Sequence, residues 1–270
     1  MTSKKARGEK RIIQLLEEIE SLCSKYPYLW NLVGWEIFLR KGKENEGEER
    51  IKIYVEFFSP YLRKLKKGMK VLDLGCGSGS FTYYLKNFGL DVEPVDISPS
   101  ALKKAGFSKK RIISAENLSK FKNETYDAVF AIELLNYLSS PQEVLKEIKR
   151  VLKNNGFLFI SVENKYGGIL SSSILRIRDV LSAIKNSYAC VEWEMATRYY
   201  TKDEFKELLK KEGFEILKLS GLHYIWDGIF QHLLSNPYTE EECMELEKIS
   251  RNDSVLKNLP RAWVCVGMKK

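Results

Sequence analysis

The stretch VLDLGCGSGSF, residues 71–81, decides the fold, because an apolar run of strand length leads directly into three closely spaced glycines. Gly75, Gly77 and Gly79 carry no Cβ, so the backbone can turn sharply there and a ligand can lie against it. The residues that follow have the apolar spacing of a helix. The stretch therefore predicts a strand, a ligand-binding turn and a helix.

The spacing of these glycines argues against a nicotinamide dinucleotide site. The dinucleotide fingerprint GxGxxG needs its third glycine at position 80, where this chain has Ser80. Asp73, inside the strand, would repel a pyrophosphate but would tolerate a cationic ligand. The turn therefore favours a ligand that carries positive charge.

Downstream of this turn, short apolar runs of strand length alternate with amphipathic stretches. This alternation predicts an α/β fold with a doubly wound, seven-stranded, mostly parallel sheet and helices on both faces. The strands are predicted at 71–74, 91–95, 111–114, 128–132, 157–162, 215–219 and 262–268, and the main helices at 80–87, 99–104, 141–152 and 203–211.

Three segments do not follow the alternation. Residues 1–68 read as a helical annex or cap, with amphipathic stretches at 10–23 and 51–65. The remaining domain, 69–270, contains two insertions, at about 165–200 and 222–259, which we expect to form helical lids. The second insertion predicts helices at 224–234 and 240–249.

VLDLGCGSG resembles the glycine-rich signature of the class I S-adenosylmethionine-dependent methyltransferases. The run from 126 to 164 resembles the fourth strand, following helix and fifth strand of that family, and 198–215 resembles the helix before its sixth strand. The resemblance covers about 69–165 and 198–221. It implies a Rossmann-like core of the small-molecule, type 11/12-like branch, with S-adenosyl-L-methionine as cofactor.

The resemblance also implies a set of cofactor-binding residues. Asp96, 21 residues after Gly75, would accept hydrogen bonds from the ribose diol, and Ile97 would pack on the adenine. The contact to the adenine amine stays open between Ser114, Glu116 and the backbone. The full set is Asp73, Gly75, Cys76, Gly77, Gly79, Asp96, Ile97, Ser114, Ala115, Glu116, Ile132 and Glu133.

Methyl transfer from a sulfonium needs positioning, water exclusion and, for some acceptors, removal of a proton, but it needs no covalent catalyst. The candidate bases are His223 after the sixth strand of the family, Glu163 and Tyr166 after the fifth, and Tyr137 after the fourth. A lone histidine is also a common structural residue.

The acceptor class is left open by the sequence. Tryptophans and tyrosines in the annex and the insertions favour an enclosed pocket for a small molecule, although the same aromatics could form the core of the added helices. The formal charge of +8 keeps an RNA acceptor open, with a solvated Lys/Glu surface as the simpler explanation. Ile132-Glu133-Leu134-Leu135 departs from the pattern of base N-methyltransferases. The sequence is also compatible with a protein acceptor and with a regulatory protein that binds the cofactor without transferring the methyl group.

Composition indicates the cellular location that we expect for the protein. The five cysteines are scattered and have no metal-ligand spacing, so we expect free thiols, no metal and a reduced, cytoplasmic location. No apolar run reaches the length of a membrane span, and the charged N-terminus does not resemble a signal peptide. The oligomeric state is not indicated.

Overall fold

The computed structural model describes residues 48–107, 110–171, 177–190, 196–225, 228 and 239–270. The predicted helix at 10–23 and nearly all of the one at 224–234 lie outside these residues. The described part of the predicted annex is therefore its last helix. The domain boundary at residue 68 stays a prediction.

The described chain alternates strands and helices. In chain order the elements are α1 (Glu48–Leu62), β1 (Lys70–Leu74), α2 (Ser80–Asn87), β2 (Asp91–Asp96), α3 (Pro99–Ala105), β3 (Arg111–Ile112), β4 (Tyr126–Ala131), a 3-10 turn (Leu135–Tyr137), α4 (Pro141–Val151), β5 (Leu152–Glu163), α5 (Lys165–Ser171), α6 (Ile177–Asn186), β6 (Tyr188–Cys190), β7 (Ala196–Arg198), α7 (Lys202–Lys211), β8 (Phe214–Leu222), α8 (Glu240–Asn252), a 3-10 turn (Leu256–Asn258) and β9 (Ala262–Lys269).

Seven strands form one sheet in the order β3-β2-β1-β4-β5-β9-β8. β1 to β5 pair in parallel, whereas β9 runs antiparallel to both β5 and β8. The predicted doubly wound, mostly parallel sheet is confirmed. The strand order reverses between β1 and β4, and ligands of open α/β sheets bind beyond the carboxyl ends of strands at such a switch point.

Helices cover both faces of the sheet, because successive strand residues point to opposite faces. Leu72 and Leu74 face the side covered by the apolar faces of α4 and α7. Val71 faces the other side, where α1 and α2 pack. Phe58 of α1 is fully buried against this face, with its ring centroid 5.1 Å from that of Phe159 on β5. The last helix of the predicted annex is therefore a layer of the core.

Element boundaries differ from the sequence prediction at several elements, among them β3 and β5. β3 is only two residues long, Arg111–Ile112, where four were predicted. β5 starts at Leu152 rather than at 157, because α4 ends at Val151 and the chain pairs with β4 at once, through an irregular register near Tyr126. The predicted helix at 80–87 has the observed bounds. Among the described residues, no helix has the length and apolar character needed to cross a membrane.

Candidate active site at the carboxyl edge of the sheet

The glycine loop after β1 is bound to the end of β2 through its backbone. The N–H groups of Gly75 and Cys76 donate to the carbonyl oxygen of Val95, at 2.9 and 3.0 Å. Gly75, Gly77 and Gly79 have φ angles of 73°, 53° and 89°, in the left-handed region that disfavours side chains. The loop conformation therefore requires glycine at these positions.

The three glycines face different surroundings. A Cβ on Gly77 would meet no atom within 4 Å, whereas one on Gly75 would lie 2.9 Å from Leu134, and one on Gly79 would lie 2.4 Å from the Phe107 ring. Packing against Phe107 is thus a separate reason for glycine at position 79. Gly77 leaves the open space that a ligand lying on the loop needs, and so the loop fits the cofactor that the family resemblance implies.

Asp73 and Asp96 fix the loop from two sides. The buried carboxylate of Asp73 accepts a hydrogen bond from the hydroxyl of Thr82 on α2. One oxygen of Asp96 accepts from the Gly77 N–H at 2.9 Å, and the other accepts from the Ser98 N–H at 2.8 Å. The family resemblance places the ribose diol at this carboxylate, beside half-buried Ile97, and that role stays a prediction.

Cys76 lies inside the same loop. Its side chain is almost buried, and burial raises the pKa of the thiol far above its usual value, with the carboxylates of Asp73 and Asp96 acting in the same direction. The thiol therefore stays protonated at neutral pH. Cys76 can line the site but is a poor nucleophile or metal ligand.

Glu116 has a structural contact that the sequence did not reveal. Its Oε1 accepts hydrogen bonds from the Ser139 N–H at 2.9 Å, the Ser139 hydroxyl and the Ser140 N–H at 3.1 Å, just before α4 begins. Ser114 is half-buried, and its hydroxyl accepts from the Glu116 N–H at 3.2 Å, while Ala115 is buried. The adenine contact of this segment stays a prediction.

Glu133, which follows Ile132 and the end of β4, is the centre of a buried polar group. Its carboxylate pairs with Arg50, accepts from the Tyr54 hydroxyl at 2.8 Å and lies 3.8 Å from Arg261. Burial would raise the pKa of Glu133, but Arg50 and Arg261 outweigh it and hold the pKa far below its usual value. Glu133 is therefore a fixed carboxylate, held at a φ of 51°.

Glu163 and Tyr137 lie close to Glu133. Glu163 ends β5, and its carboxylate lies 3.6 Å from Arg261. Burial, followed by the charges of Glu163 and Glu133, raises the pKa of Tyr137 above its usual value. Tyr137 is therefore a neutral hydroxyl at physiological pH, and Glu163 shares its arginine with Glu133.

His223 completes this group at the end of β8. The side chain is fully buried, the backbone has a φ of 63°, and the ring centroid lies 4.5 Å from that of Tyr54. Burial, then the charge of Arg50, lowers the pKa of His223 well below its usual value in spite of Glu133. Neither ring nitrogen has a hydrogen-bond partner among the described residues. His223 is therefore neutral and free to accept a proton.

We call Arg50, Tyr54, Glu133, Tyr137, Glu163, His223 and Arg261 the Glu133 cluster. The structure brings together three of the predicted bases, whereas the fourth, Tyr166, is about half exposed on α5 at 49%. Within the described chain, no hydrogen bond joins the Tyr166 hydroxyl to the cluster, and no group of three His, Cys, Asp or Glu residues could hold a metal ion. His232 lies outside the described residues.

The sequence analysis missed Arg50, Tyr54 and Arg261. Arg50 and Glu133 are 83 residues apart in the chain, and Tyr54 and Glu133 are 79 apart. Arg261 directly precedes β9. No local motif marks these positions, so only the packing of α1 and the antiparallel return of β9 reveal them.

A comparison with known families decides the classification. The family model described as "Methyltransferase domain" matches residues 45–219, more than half of the chain. The chain belongs to the methyltransferase domain family. The resemblance to S-adenosylmethionine-dependent methyltransferases is confirmed, and with it the expectation of S-adenosylmethionine as cofactor. The roles of the individual site residues stay predictions.

Curated relatives are similar over part of their length. An uncharacterised protein of Methanocaldococcus jannaschii is 29% identical over 59% of this chain and 66% of its own length. A ubiquinone biosynthesis O-methyltransferase of Xanthomonas oryzae is 31% identical over 36% of this chain and 44% of its own length. This chain thus spans less than two thirds of these relatives.

Solved structures share the fold at low identity. A chain in the complex between the Haloferax volcanii Trm112 methyltransferase activator and a methyltransferase has a TM-score of 0.58 and 17% identity, over 87% of this chain and 96% of its own. An S-adenosylmethionine-dependent methyltransferase of Archaeoglobus fulgidus has a TM-score of 0.56 and 19% identity, over 86% and 99%. These likenesses confirm the Rossmann-like fold.

Proposed function

We propose that this protein transfers a methyl group from S-adenosylmethionine to a hydroxyl oxygen of a small-molecule acceptor bound at the Glu133 cluster. One observation carries the proposal: a buried, unpartnered histidine, His223, lies beside fixed charges at the sheet edge that also holds the glycine loop. The names of several curated relatives, which are O-methyltransferases, support oxygen as the methylated atom.

S-adenosylmethionine supplies an activated sulfonium methyl when it is bound. The residues that would hold it are Gly77, whose missing Cβ leaves space on the loop, and Asp96, whose carboxylate would accept from the ribose. Asp73 acts through Thr82 by holding the loop against α2. These contacts orient the cofactor without taking part in bond making.

His223 would accept the proton of the acceptor hydroxyl as its oxygen bonds to the methyl carbon and the carbon–sulfur bond breaks. A neutral imidazole has the lone pair that this step needs, and its depressed pKa keeps it neutral at physiological pH. Burial and the charge of Arg50 lower the pKa of His223, and the charge on Glu133 would act in the opposite direction, in favour of the imidazolium that forms. Burial of the cluster excludes water that would otherwise compete for the methyl group.

A small acceptor fits the cluster better than a macromolecule does. The side chains of Arg50, Arg261 and Glu133 are only 14%, 18% and 19% exposed, so the charged groups are not presented on an open surface. An RNA or a folded protein would need a groove with accessible phosphate-binding or peptide-binding groups. We therefore consider RNA and protein acceptors less suited to this site than a small molecule.

The experiment is methyl transfer from radiolabelled S-adenosylmethionine to separated small-molecule, RNA and protein fractions of a cell extract. We expect the label in the small-molecule fraction, in a methyl ether linkage to the former hydroxyl oxygen. His223→Gln should reduce transfer by at least about a hundredfold, the size typical of lost acid–base catalysis, while Arg63→Gln, an exposed control, should not. Label confined to RNA or protein would overturn the small-molecule proposal.

A further inference from the structure

The inward face of α8 is polar in its second half, beyond buried Cys243, which is unusual for a helix packed on a core. Glu247 and Ser250 are fully buried, while Ile249 is 55% exposed. Arg251 follows Ser250, so these polar residues share one face by their i, i+3 and i+4 spacing. We call Glu247, Ser250 and Arg251 the inner face of α8.

Several buried polar atoms around this face have no hydrogen-bond partner among the described residues. They come from α1, from the turn after β8 and from α8 itself. The atoms are Glu56 Oε2, His223 Nδ1 and Nε2, Tyr224 Oη, Glu247 Oε2, Ser250 Oγ, and Arg251 Nε and Nη2. Buried polar groups are rarely left unpaired, because each costs on the order of 1–3 kcal/mol in general, so such a concentration points to a missing polar ligand.

Glu247 ties the inner face to the Glu133 cluster. Its Oε1 accepts from the backbone N–H of Tyr224 at 2.5 Å and of Ile225 at 3.2 Å, directly after His223. Arg251 lies close enough to His223 to contribute to the lowered pKa of its ring. The inner face and the histidine therefore belong to one continuous polar region.

Arg251 offers the edge of a guanidinium that recognises oxyanions. Nε and Nη2 lie on the same side of the group, and together they form the fork that binds two oxygens at once. Both are unpartnered among the described residues, although Glu247, with its own unpartnered Oε2, lies one helical turn away. The carboxyl groups of Glu247 and Glu56 would disfavour a phosphate dianion more than a carboxylate, although burial raises the pKa of Glu247. Their free oxygens would also accept from a hydroxyl of the ligand.

We propose that the inner face of α8 binds the carboxylate of a small hydroxy acid through the Arg251 fork and the Ser250 hydroxyl. This inference rests on the methyl transfer proposed above, since it makes this molecule the acceptor, with its hydroxyl at His223. The unpartnered atoms are buried, so the ligand would have to enter by a separation of α8 from α1. Among the described residues at that boundary, the charged contact is the exposed pair of Lys52 and Glu240, 2.9 Å apart, and such pairs are weak.

The histidines provide a direct reporter, because the chain has only two, His223 and His232. The experiment records the ring NMR signals of the full-length protein during titration with glycolate, acetate and inorganic phosphate. His232→Gln assigns the His223 signal. We expect glycolate to shift this signal saturably in the millimolar range, acetate to act more weakly, and phosphate to have no effect.

Two variants test the assigned contacts. Arg251→Gln should weaken glycolate binding at least about tenfold, and Ser250→Ala should weaken it a few-fold without lowering the melting temperature, because it removes a hydroxyl that has no partner among the described residues. Arg63→Gln is the matched control. Absence of any glycolate shift, or an equal shift in Arg251→Gln, would overturn the proposal and leave bound water as the occupant.

Titration with S-adenosylhomocysteine separates this inference from the proposed function. Arg251→Gln should bind S-adenosylhomocysteine with the wild-type affinity, because the glycine loop lies elsewhere. If wild type binds glycolate but not S-adenosylhomocysteine, the methyl-transfer function fails and the carboxylate site stands. If it binds S-adenosylhomocysteine alone, only the carboxylate site fails.

Discussion

The two halves of the carboxyl edge are built in different ways. The glycine-loop half uses backbone groups and neighbours in sequence, as in the bonds from Gly77 and Ser98 to Asp96. The Glu133 half uses long side chains from distant segments, as in the pair of Arg50 and Glu133. A local motif thus defines the half that is predicted to bind the cofactor, whereas the half proposed to bind the acceptor depends on residues scattered along the chain.

The largest expected effect is on the glycine-loop half. Gly77→Val should abolish binding of S-adenosylhomocysteine, because the side chain fills the space left for the ligand and strains a φ of 53°. Calorimetric titration measures the loss.

Gly79→Ala is the matched control for this strain. Its φ is also positive, but its Cβ would collide with Phe107, so it should lower the melting temperature more than Gly77→Val does. Retained binding by a folded Gly77→Val protein would show that the loop does not contact the cofactor.

Next in size is the effect of breaking the partly buried ion pair in the Glu133 half. Glu133→Gln leaves Arg50 without its close carboxylate and should lower the free energy of unfolding by about 3 kcal/mol. The family resemblance counts Glu133 among the cofactor-binding residues, but its carboxylate is already engaged by Arg50 and Tyr54, so affinity for S-adenosylhomocysteine should stay within a few-fold of wild type. Urea unfolding measures the stability of the variant, and titration with S-adenosylhomocysteine measures its affinity. A large loss of affinity without destabilisation would show that the Glu133 half also binds the cofactor.

Asp96→Ala should weaken S-adenosylhomocysteine binding by about tenfold to a hundredfold, through loss of the bonds expected to the ribose. The variant also removes the acceptor for the Gly77 N–H, so its melting temperature must be measured alongside. Analogues of S-adenosylhomocysteine that lack the ribose hydroxyls should bind wild type and Asp96→Ala with similar affinity. Unchanged affinity in Asp96→Ala would remove the ribose assignment.

The smallest effect is a dependence of stability on pH. The pKa of His223 is lower in the folded than in the unfolded state, so the unfolded chain binds a proton first. The stability associated with a neutral His223 is complete above the unfolded pKa of about 6.5 and is lost as the pH falls below it. Urea unfolding between about pH 5 and pH 8 should show this slope in wild type and a smaller one in His223→Gln. Equal slopes in wild type and His223→Gln would indicate that the His223 ring is in contact with water in the folded protein.

Most of the fold could be predicted from the sequence, because strands and helices of the core show their periodicity locally. The helix bounds of Ser80–Asn87 followed from such a pattern. The short β3 could not be predicted, since its edge position leaves Ile112 61% exposed and its length depends on pairing with β2 alone.

The same distinction between local and distant sequence signals applies to the candidate site. The glycines were predicted from their spacing, whereas the role of Asp96 and the candidate bases His223, Glu163 and Tyr137 followed from the family resemblance. Arg50 and Arg261 could not be found in this way. Arg50 lies in the first turn of a helix and Arg261 directly before a strand, and neither position indicates in the sequence that the side chain pairs with a distant carboxylate. The polar inner face of α8 could not be predicted either, because nothing in the sequence distinguishes Glu247, Ser250 and Arg251 from residues of a solvated surface.

The central claim is that the glycine loop binds S-adenosylmethionine, and calorimetric titration of the purified protein with S-adenosylmethionine and S-adenosylhomocysteine tests it most directly. We predict one site per chain with micromolar affinity for either ligand, and loss of that site in Gly77→Val. No heat of binding from either ligand, in a protein shown to be folded by a cooperative melting transition, would contradict the claim.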